Sequence, residues 1–350
     1  MAADDRAADM LQGSCTSFDD LDIGSTFFEQ YLIQDARCGA KAADVLGGEE
    51  AVVHFQQLLR ENGHLIAQVV CRTAALETIA VVDSSLLWGP ESDATTLEVS
   101  LNSESEKKTP LSEQLMTVQE FLEADLVWFN VQEFSSTDGT GTSVSILGEI
   151  LELRRSVSNV PAEQPILIVS SLRGSPRKVA LPFVGGCEES LIHVPLWIDE
   201  GRSHARRLQK LAGSFDLLPT LAEYLTGKPL KERSESHTDL ATPGDREAES
   251  QDAFSLAVGP KSLWPLLTGF DNGGDRLLRL VGDGWTALRS QQYLLVSAEV
   301  NDHDSETMNS GLDRRRLYLK PDDFWNVNNS IVTYEAVADE MDAVWRQNGV

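Results

Sequence analysis

In Pro165-Ile166-Leu167-Ile168-Val169-Ser170-Ser171-Leu172-Arg173-Gly174, a run of apolar and mostly β-branched residues lies between a proline and a polar turn that ends in glycine. A run this short, apolar at successive positions rather than at alternate ones, predicts a strand buried on both faces. Similar runs at 65–70, 78–82, 126–131 and 191–198 predict further strands. Between them the spacing changes to that of helices: Val52, Phe55, Leu58 and Leu59 precede Gly63, and Val144, Leu147, Ile150 and Leu151 precede Arg154 and Arg155. Strands that alternate with helices imply an α/β fold, a mostly parallel sheet flanked by helices on both faces.

Residues 214–227 read as one helix, with Asp216 as its N-cap, Pro219 in the first turn and Gly227 closing the end. From 228 to 251 the sequence is Lys, Glu, Ser, Asp and Thr with few large apolar residues, which predicts a surface loop. Beyond it, 279–282, 285–289 and 293–297 read as strands joined by tight turns at Gly282-Asp283-Gly284 and Ser290-Gln291-Gln292. The last apolar pattern, Val332, Ala336, Val337, Met341, Val344 and Trp345, predicts an amphipathic helix docked on a small C-terminal antiparallel sheet. The expected division is therefore a main α/β domain over 1–227, a flexible acidic loop over 228–252 and an α+β subdomain over 253–350.

Charge narrows the partners. With 29 Lys and Arg against 55 Asp and Glu, the formal net charge is −26. Such a field repels phosphate backbones and anionic headgroups, so nucleic acid and membrane surfaces are not expected partners, while a protein or small-molecule partner is unspecified. Cys15, Cys38, Cys71 and Cys187 form no Cys-x-x-Cys pair, which argues for reduced thiols rather than zinc or a disulfide frame. The first eleven residues hold aspartates and no apolar run, so the chain as written is expected to be cytoplasmic. No phosphate loop, dinucleotide fingerprint, zinc-protease motif or nucleophile elbow is found.

His193-Val194-Pro195-Leu196-Trp197-Ile198, followed by Phe215-Asp216-Leu217-Leu218-Pro219-Thr220-Leu221, resembles a strand and helix of the sulfatases, within the alkaline-phosphatase-like superfamily. Lys261-Ser262-Leu263-Trp264-Pro265-Leu266-Leu267-Thr268-Gly269 is similar to that family's Ser-Leu-x-Pro-Leu-Leu-x-Gly turn. Arg316-Leu317-Tyr318-Leu319 with Asn328-Asn329 is similar to its closing segment. Nearer the start, Phe18-Asp19-Asp20-Leu21 and Phe27-Phe28-Glu29-Gln30-Tyr31 resemble the elements that lead to the family's nucleophile. Cys38-Gly39-Ala40-Lys41-Ala42, running on to Leu46-Gly47-Gly48, stands in register with the motif Cys/Ser-x-Pro-x-Arg-x-x-x-x-x-Gly. In order along the chain, these matches imply an alkaline-phosphatase-like fold from about Asp4 to the C-terminal helix.

The resemblance also implies a chemistry. Sulfatases oxidise the motif cysteine or serine to a formylglycine, whose hydrate attacks the ester beside a Ca²⁺ ion that neutralises charge on its oxygens. Cys38 is the vestigial nucleophile position, but Ala40 and Ala42 replace the Pro and Arg that the modifying enzyme reads. The family's metal strand ends in Ser-Asp-His-Gly or Ser-Asp-Asn-Gly, whose second and third members are ligands; here Leu172 and Arg173 hold those places. Leucine offers no lone pair, and arginine puts a permanent cation where a dication would sit. Asp4 and Asp5 resemble the family's other metal-binding pair, without the strand that should precede it. Two readings of that gap stay open, a true truncation or a start assigned too late, and the second would make the protein secreted or periplasmic.

Other candidates read as structure. Lys178 and Val184 are out of register with the family's lysine, and His193 within its apolar strand reads as a packed core histidine. His54 and His64 flank a surface helix, and His303 lies in a polar loop. The expectation is a sulfatase-like protein with no cofactor and no sulfuric ester hydrolase activity, acting as a binding or assembly protein. The alternative is a divergent but active sulfuric or phosphoric ester hydrolase of the same fold.

Overall fold

A computed structural model of the chain describes residues 25–31, 46–73, 95–101, 124–132, 142–157, 165–171, 189–200, 206–230, 259–269, 276–282, 284–298, 315–323 and 325–347. In chain order these form β1 (Ser25–Tyr31), α1 (Glu49–Glu61), β2 (Ile66–Thr73), β3 (Thr95–Leu101), β4 (Leu126–Gln132), α2 (Thr142–Val157), β5 (Leu167–Ser170), α3 (Glu189–Ile192), β6 (His193–Asp199) and β7 (Arg206–Gly213). A 3-10 turn (Ser214–Asp216) then leads into α4 (Leu217–Thr226) and α5 (Trp264–Thr268). The C-terminal part holds β8 (Leu278–Gly282), β9 (Trp285–Arg289), β10 (Tyr293–Ala298), β11 (Arg315–Leu319) and α6 (Glu335–Gln347). The strand expected at 78–82 lies outside the described residues.

One mostly parallel sheet is expected; the described strands of the α/β part form two. The first has the order β5-β6-β1-β7, with β6 antiparallel to both neighbours and β7 parallel to β1, so β1, β5 and β7 run the same way. The second, β3-β2-β4, is parallel throughout. An apolar run reports that a strand is buried, not which way its neighbour runs, and β6 is therefore the strand whose reversal the sequence hides.

Pairing fixes which residues share a face. Ile168 lies opposite Ile198, Ser170 opposite Leu196 and Gln30 opposite Val194. Leu196 and Ile198 are buried, with Ile168 beside them, against Phe55 and Leu59 of α1 and Leu217, Leu218 and Leu221 of α4. Asp199, one position on and hence on the other face, receives Arg154 of α2, whose guanidinium donates to its carboxylate at 2.5 Å. Helices accordingly cover both faces. Ile66 and Leu126, paired across β2 and β4, pack with Trp128 against the same α1–α4 cluster, so both sheets close on one core.

The C-terminal sheet, β11-β10-β9-β8, is antiparallel and covered on both sides. Leu278, Leu280, Trp285, Ala287, Leu294 and Val296 face Ile192, Leu211 and Phe215 of the α/β part. The intervening Leu288, Leu295 and Leu317 face Ala338 and Met341 of α6. This alternation with a period of two is what the three predicted strands and terminal helix require. The helix begins later than its apolar pattern suggests, at Glu335, and Val332 is 83% exposed in the turn before it.

Candidate functional site

β1 and β5 are parallel to one another, so the chain leaves both at the same edge of the sheet. Cys38 follows the end of β1 by seven positions, and Leu172 follows the end of β5 by two. Asp4, Asp5, Cys38, Leu172 and Arg173 themselves lie outside the described residues, as do Lys178, Val184 and His303. Strand ends such as this edge are where ligands bind in α/β sheets.

At that edge the described residues supply a polar pair. Ser170, at the end of β5, donates its hydroxyl to Oε1 of Gln30 at 2.5 Å across the intervening β6. Gln30 is fully buried, and its Nε2 finds no hydrogen-bond partner among the described residues. Sequence reading passed over Gln30, although a glutamine between Phe28 and Tyr31 in a strand is itself a signal, since a polar side chain on a core face needs a partner. His193, half-buried, is the first residue of β6 and lies opposite Tyr31, at the same edge. His54 lies within α1, exposed, instead of flanking it, while His64 contacts Asp125 at 3.3 Å. Among the described residues no group of three or more His, Cys, Asp or Glu could hold a metal ion.

The residues that carry the family resemblance elsewhere have scaffold tasks. Asp216 is expected to cap α4 with its side chain; instead its carboxylate reaches backwards and outwards. It accepts the backbone N–H of Gly213 and of Lys261, both at 2.7 Å, and a two-pronged contact from Arg276. Arg276 also donates to the Gly259 carbonyl and lies over the Phe215 ring, 5.2 Å from its centre. Burial pushes the Asp216 carboxyl up from its ordinary value, and the Arg276 guanidinium pulls against it. Thr220, one turn on, accepts Leu263 N–H at 2.8 Å. The Asp-Leu-Leu-Pro-Thr helix start and the Lys-Ser-Leu turn are thus two halves of one latch, which seats Leu263, Leu266 and Leu267 in the main core.

Glycines and an asparagine of the matches are structural in the same sense. Gly48, just before α1, has φ 98° and ψ 163°, a region essentially closed to side chains. Gly269 ends α5 with φ 79°. Asn329 accepts N–H groups from Leu317 at 3.1 Å and Ile331 at 3.2 Å, which pins the closing segment along β11.

A second buried charge group joins the two parts of the chain. Glu189, in α3, meets Lys320 Nζ at 3.1 Å and Arg289 at 3.8 Å, all three nearly inaccessible to solvent. Burial lowers the Lys320 ammonium from its ordinary value, and Glu189 counters this. One carboxylate facing two cations is a packing device for the seam; nothing in it resembles an acid–base pair beside an open cleft.

The donor set that the family resemblance assigns to Ca²⁺ does not suit it. A hard dication wants several oxygen ligands; Asp4 and Asp5 keep carboxylates, but the side chains of Leu172 and Arg173 offer no oxygen, and Arg173 adds a cation. No helix among the described residues is long and apolar enough to cross a membrane.

No family model matches the chain, and no curated protein matches it. Solved structures do. The chain is similar to a protein solved in complex with its substrate D-glucosamine-2-N,6-O-disulfate, at 10% identity and a TM-score of 0.48, with 95% of this chain and 92% of that one covered. It is similar to a protein described under the metabolism of multiple glycosaminoglycans by Bacteroides thetaiotaomicron, at 11% identity and a TM-score of 0.46, covering 94% and 88%. It is similar as well to a protein of the alkaline phosphatase superfamily from Vibrio parahaemolyticus, at 12% identity and a TM-score of 0.45, covering 93% and 82%.

Proposed function

We propose that the chain is a sulfatase-like protein that has exchanged ester hydrolysis for a binding or assembly role, and that its two α/β sheets are parts of one alkaline-phosphatase-like sheet. The observation that carries this is a division among the matched residues. Those with a described scaffold task, Gly48, Asp216, Thr220, Gly269 and Asn329, are retained. Among those that the family resemblance assigns to chemistry, Cys38, Asp4 and Asp5 keep the residue type, but the positions that would make Cys38 a nucleophile and complete the metal site are replaced: Ala40, Ala42, Leu172 and Arg173. Selection for a folded scaffold without selection for the reaction leaves this pattern, because fold and function are maintained by different residues.

The test uses the purified chain with an aryl sulfate and an aryl phosphate, together with elemental analysis. The expected result is no turnover and no bound Ca²⁺. Melting temperature is expected to stay flat with Ca²⁺, Mg²⁺, Mn²⁺ and Zn²⁺, since a metal bound only by the folded state would raise it. Turnover that disappears in Cys38→Ala, or in Asp4→Ala with Asp5→Ala, overturns the proposal in favour of a divergent hydrolase.

A further inference from the structure

Seven large apolar side chains among the described residues are exposed, and three of them, Trp325, Val327 and Val332, fall within eight positions between β11 and α6. The other four, Val53, Leu65, Val157 and Tyr224, show no such clustering, each at least twelve positions from the next. Single exposed apolar residues are ordinary, whereas several on one connection call for an explanation.

The connection is held by its polar residues. Lys320 Nζ donates to the Asp323 carbonyl at 2.8 Å and to Asn326 Oδ1 at 2.6 Å. The Asp323 carboxylate accepts N–H groups from Val327 at 2.9 Å and Asn328 at 2.8 Å. Asn326 adopts φ 55°, a left-handed conformation that asparagine tolerates better than most residues. Ser330 N–H bonds to the Leu317 carbonyl at 2.8 Å. The side chains of Lys320, Asp323 and Asn326 are thus spent inside the loop, and Val327 and Val332 stand 66% and 83% exposed. A surface ordered beforehand loses less entropy when a partner lands on it.

Charge selects the partner. Between Pro321 and Trp345 the chain carries Asp322, Asp323, Glu335, Asp339, Glu340 and Asp342 and no Lys, Arg or His. Asp339 and Asp342 are engaged by Arg315, at 2.9 and 2.6 Å. Asp322, Glu335 and Glu340 are exposed. Resting on the assembly reading above, we propose that this loop and the start of α6 form a docking surface for a protein segment that carries Lys or Arg beside large aliphatic side chains. A second copy is disfavoured by its own charge of −26, and nucleic acid by the same field.

The probe is a synthetic amphipathic peptide of lysine and leucine, compared by calorimetry with a lysine/serine peptide of equal charge. The lysine/leucine peptide is expected to bind at least about tenfold more tightly, because apolar anchors and not charge alone carry affinity. Trp325→Ser, Val327→Ser and Val332→Ser combined should abolish that advantage with an unchanged melting temperature, and Val53→Ser with Val157→Ser should preserve it. Equal binding of both peptides, or an unaltered advantage in the triple variant, overturns the proposal. Aryl sulfate turnover by the same preparations separates the two ideas: turnover removes the assembly reading, whereas patch-dependent binding stands or falls by the peptides.

Discussion

Asp216 accepts from four donors while fully buried, so its removal leaves Arg276 as a cation without its counter-charge inside the protein. Asp216→Ala is expected to cost about 3–5 kcal/mol in urea unfolding. Replacing both members, Asp216→Leu with Arg276→Met, should cost less than the sum of the single changes, because no charge is then stranded. Additive losses would mean that the two side chains act separately. Lys320 gives a prediction with a sign. Burial holds its folded value below the ordinary one, so between that lowered value and about 10.4 the unfolded chain binds more protons than the native one. Stability contributed by Lys320 therefore rises with pH through this window. The stability of the natural protein relative to Lys320→Met should increase as pH rises towards about 10.4, and a gap that narrows would contradict the buried placement of the ammonium.

At the scale of elements, α6 shows how far an apolar pattern can be trusted. Met341 is buried where the apolar pattern puts it, with Val337 and Val344 packed alongside, but the pattern also recruits Val332, which lies outside the helix, and Ala336, which is exposed on it, and it passes over the buried Ala338. Met341→Ala is expected to cost about 2–4 kcal/mol and Val332→Ala within about 0.5 kcal/mol, measured by urea unfolding. Equal costs would put Val332 in the core. The same limit explains the strands. β2, β4, β6 and β8 to β10 were legible from their apolar residues, although the expected strand over 191–198 begins as the helical turn α3. β7 was not, because Arg206, Arg207 and Lys210 break its pattern, and it lies at the edge of its sheet with a register shift against β1. Of the candidate site, Ser170 and its strand were readable; the Gln30 partner was not, since it comes from 140 positions away. The role of Asp216 was half readable: the sequence places it at a helix start, while Lys261 and Arg276, which define its task, are brought in by the tertiary fold.

For the whole molecule, the seam between the α/β part and the C-terminal sheet determines whether the chain behaves as one unit. The expected division at 228–252 is drawn from composition, but the contacts that follow it tie forward and back. Leu263, Leu266 and Leu267 lie in the α/β core, Arg276 reaches Asp216, and Lys320 and Arg289 reach Glu189. One face of the antiparallel sheet has Ile192, Leu211 and Phe215 as its cover. A fragment of residues 253–350 would expose that face, with Trp285, Leu278 and Leu280 on it, and would strand three cations whose carboxylates belong to the other part. The fragment alone is therefore expected to lack a cooperative urea transition, while the full chain unfolds in one step that is the same by far-ultraviolet dichroism and by tryptophan fluorescence. A fragment that melts cooperatively by itself would show that α6 and the sheet suffice as a core. In that case the buried charges at Glu189 and Asp216 would serve to orient two finished domains, and Glu189→Gln would loosen their docking without lowering the stability of either.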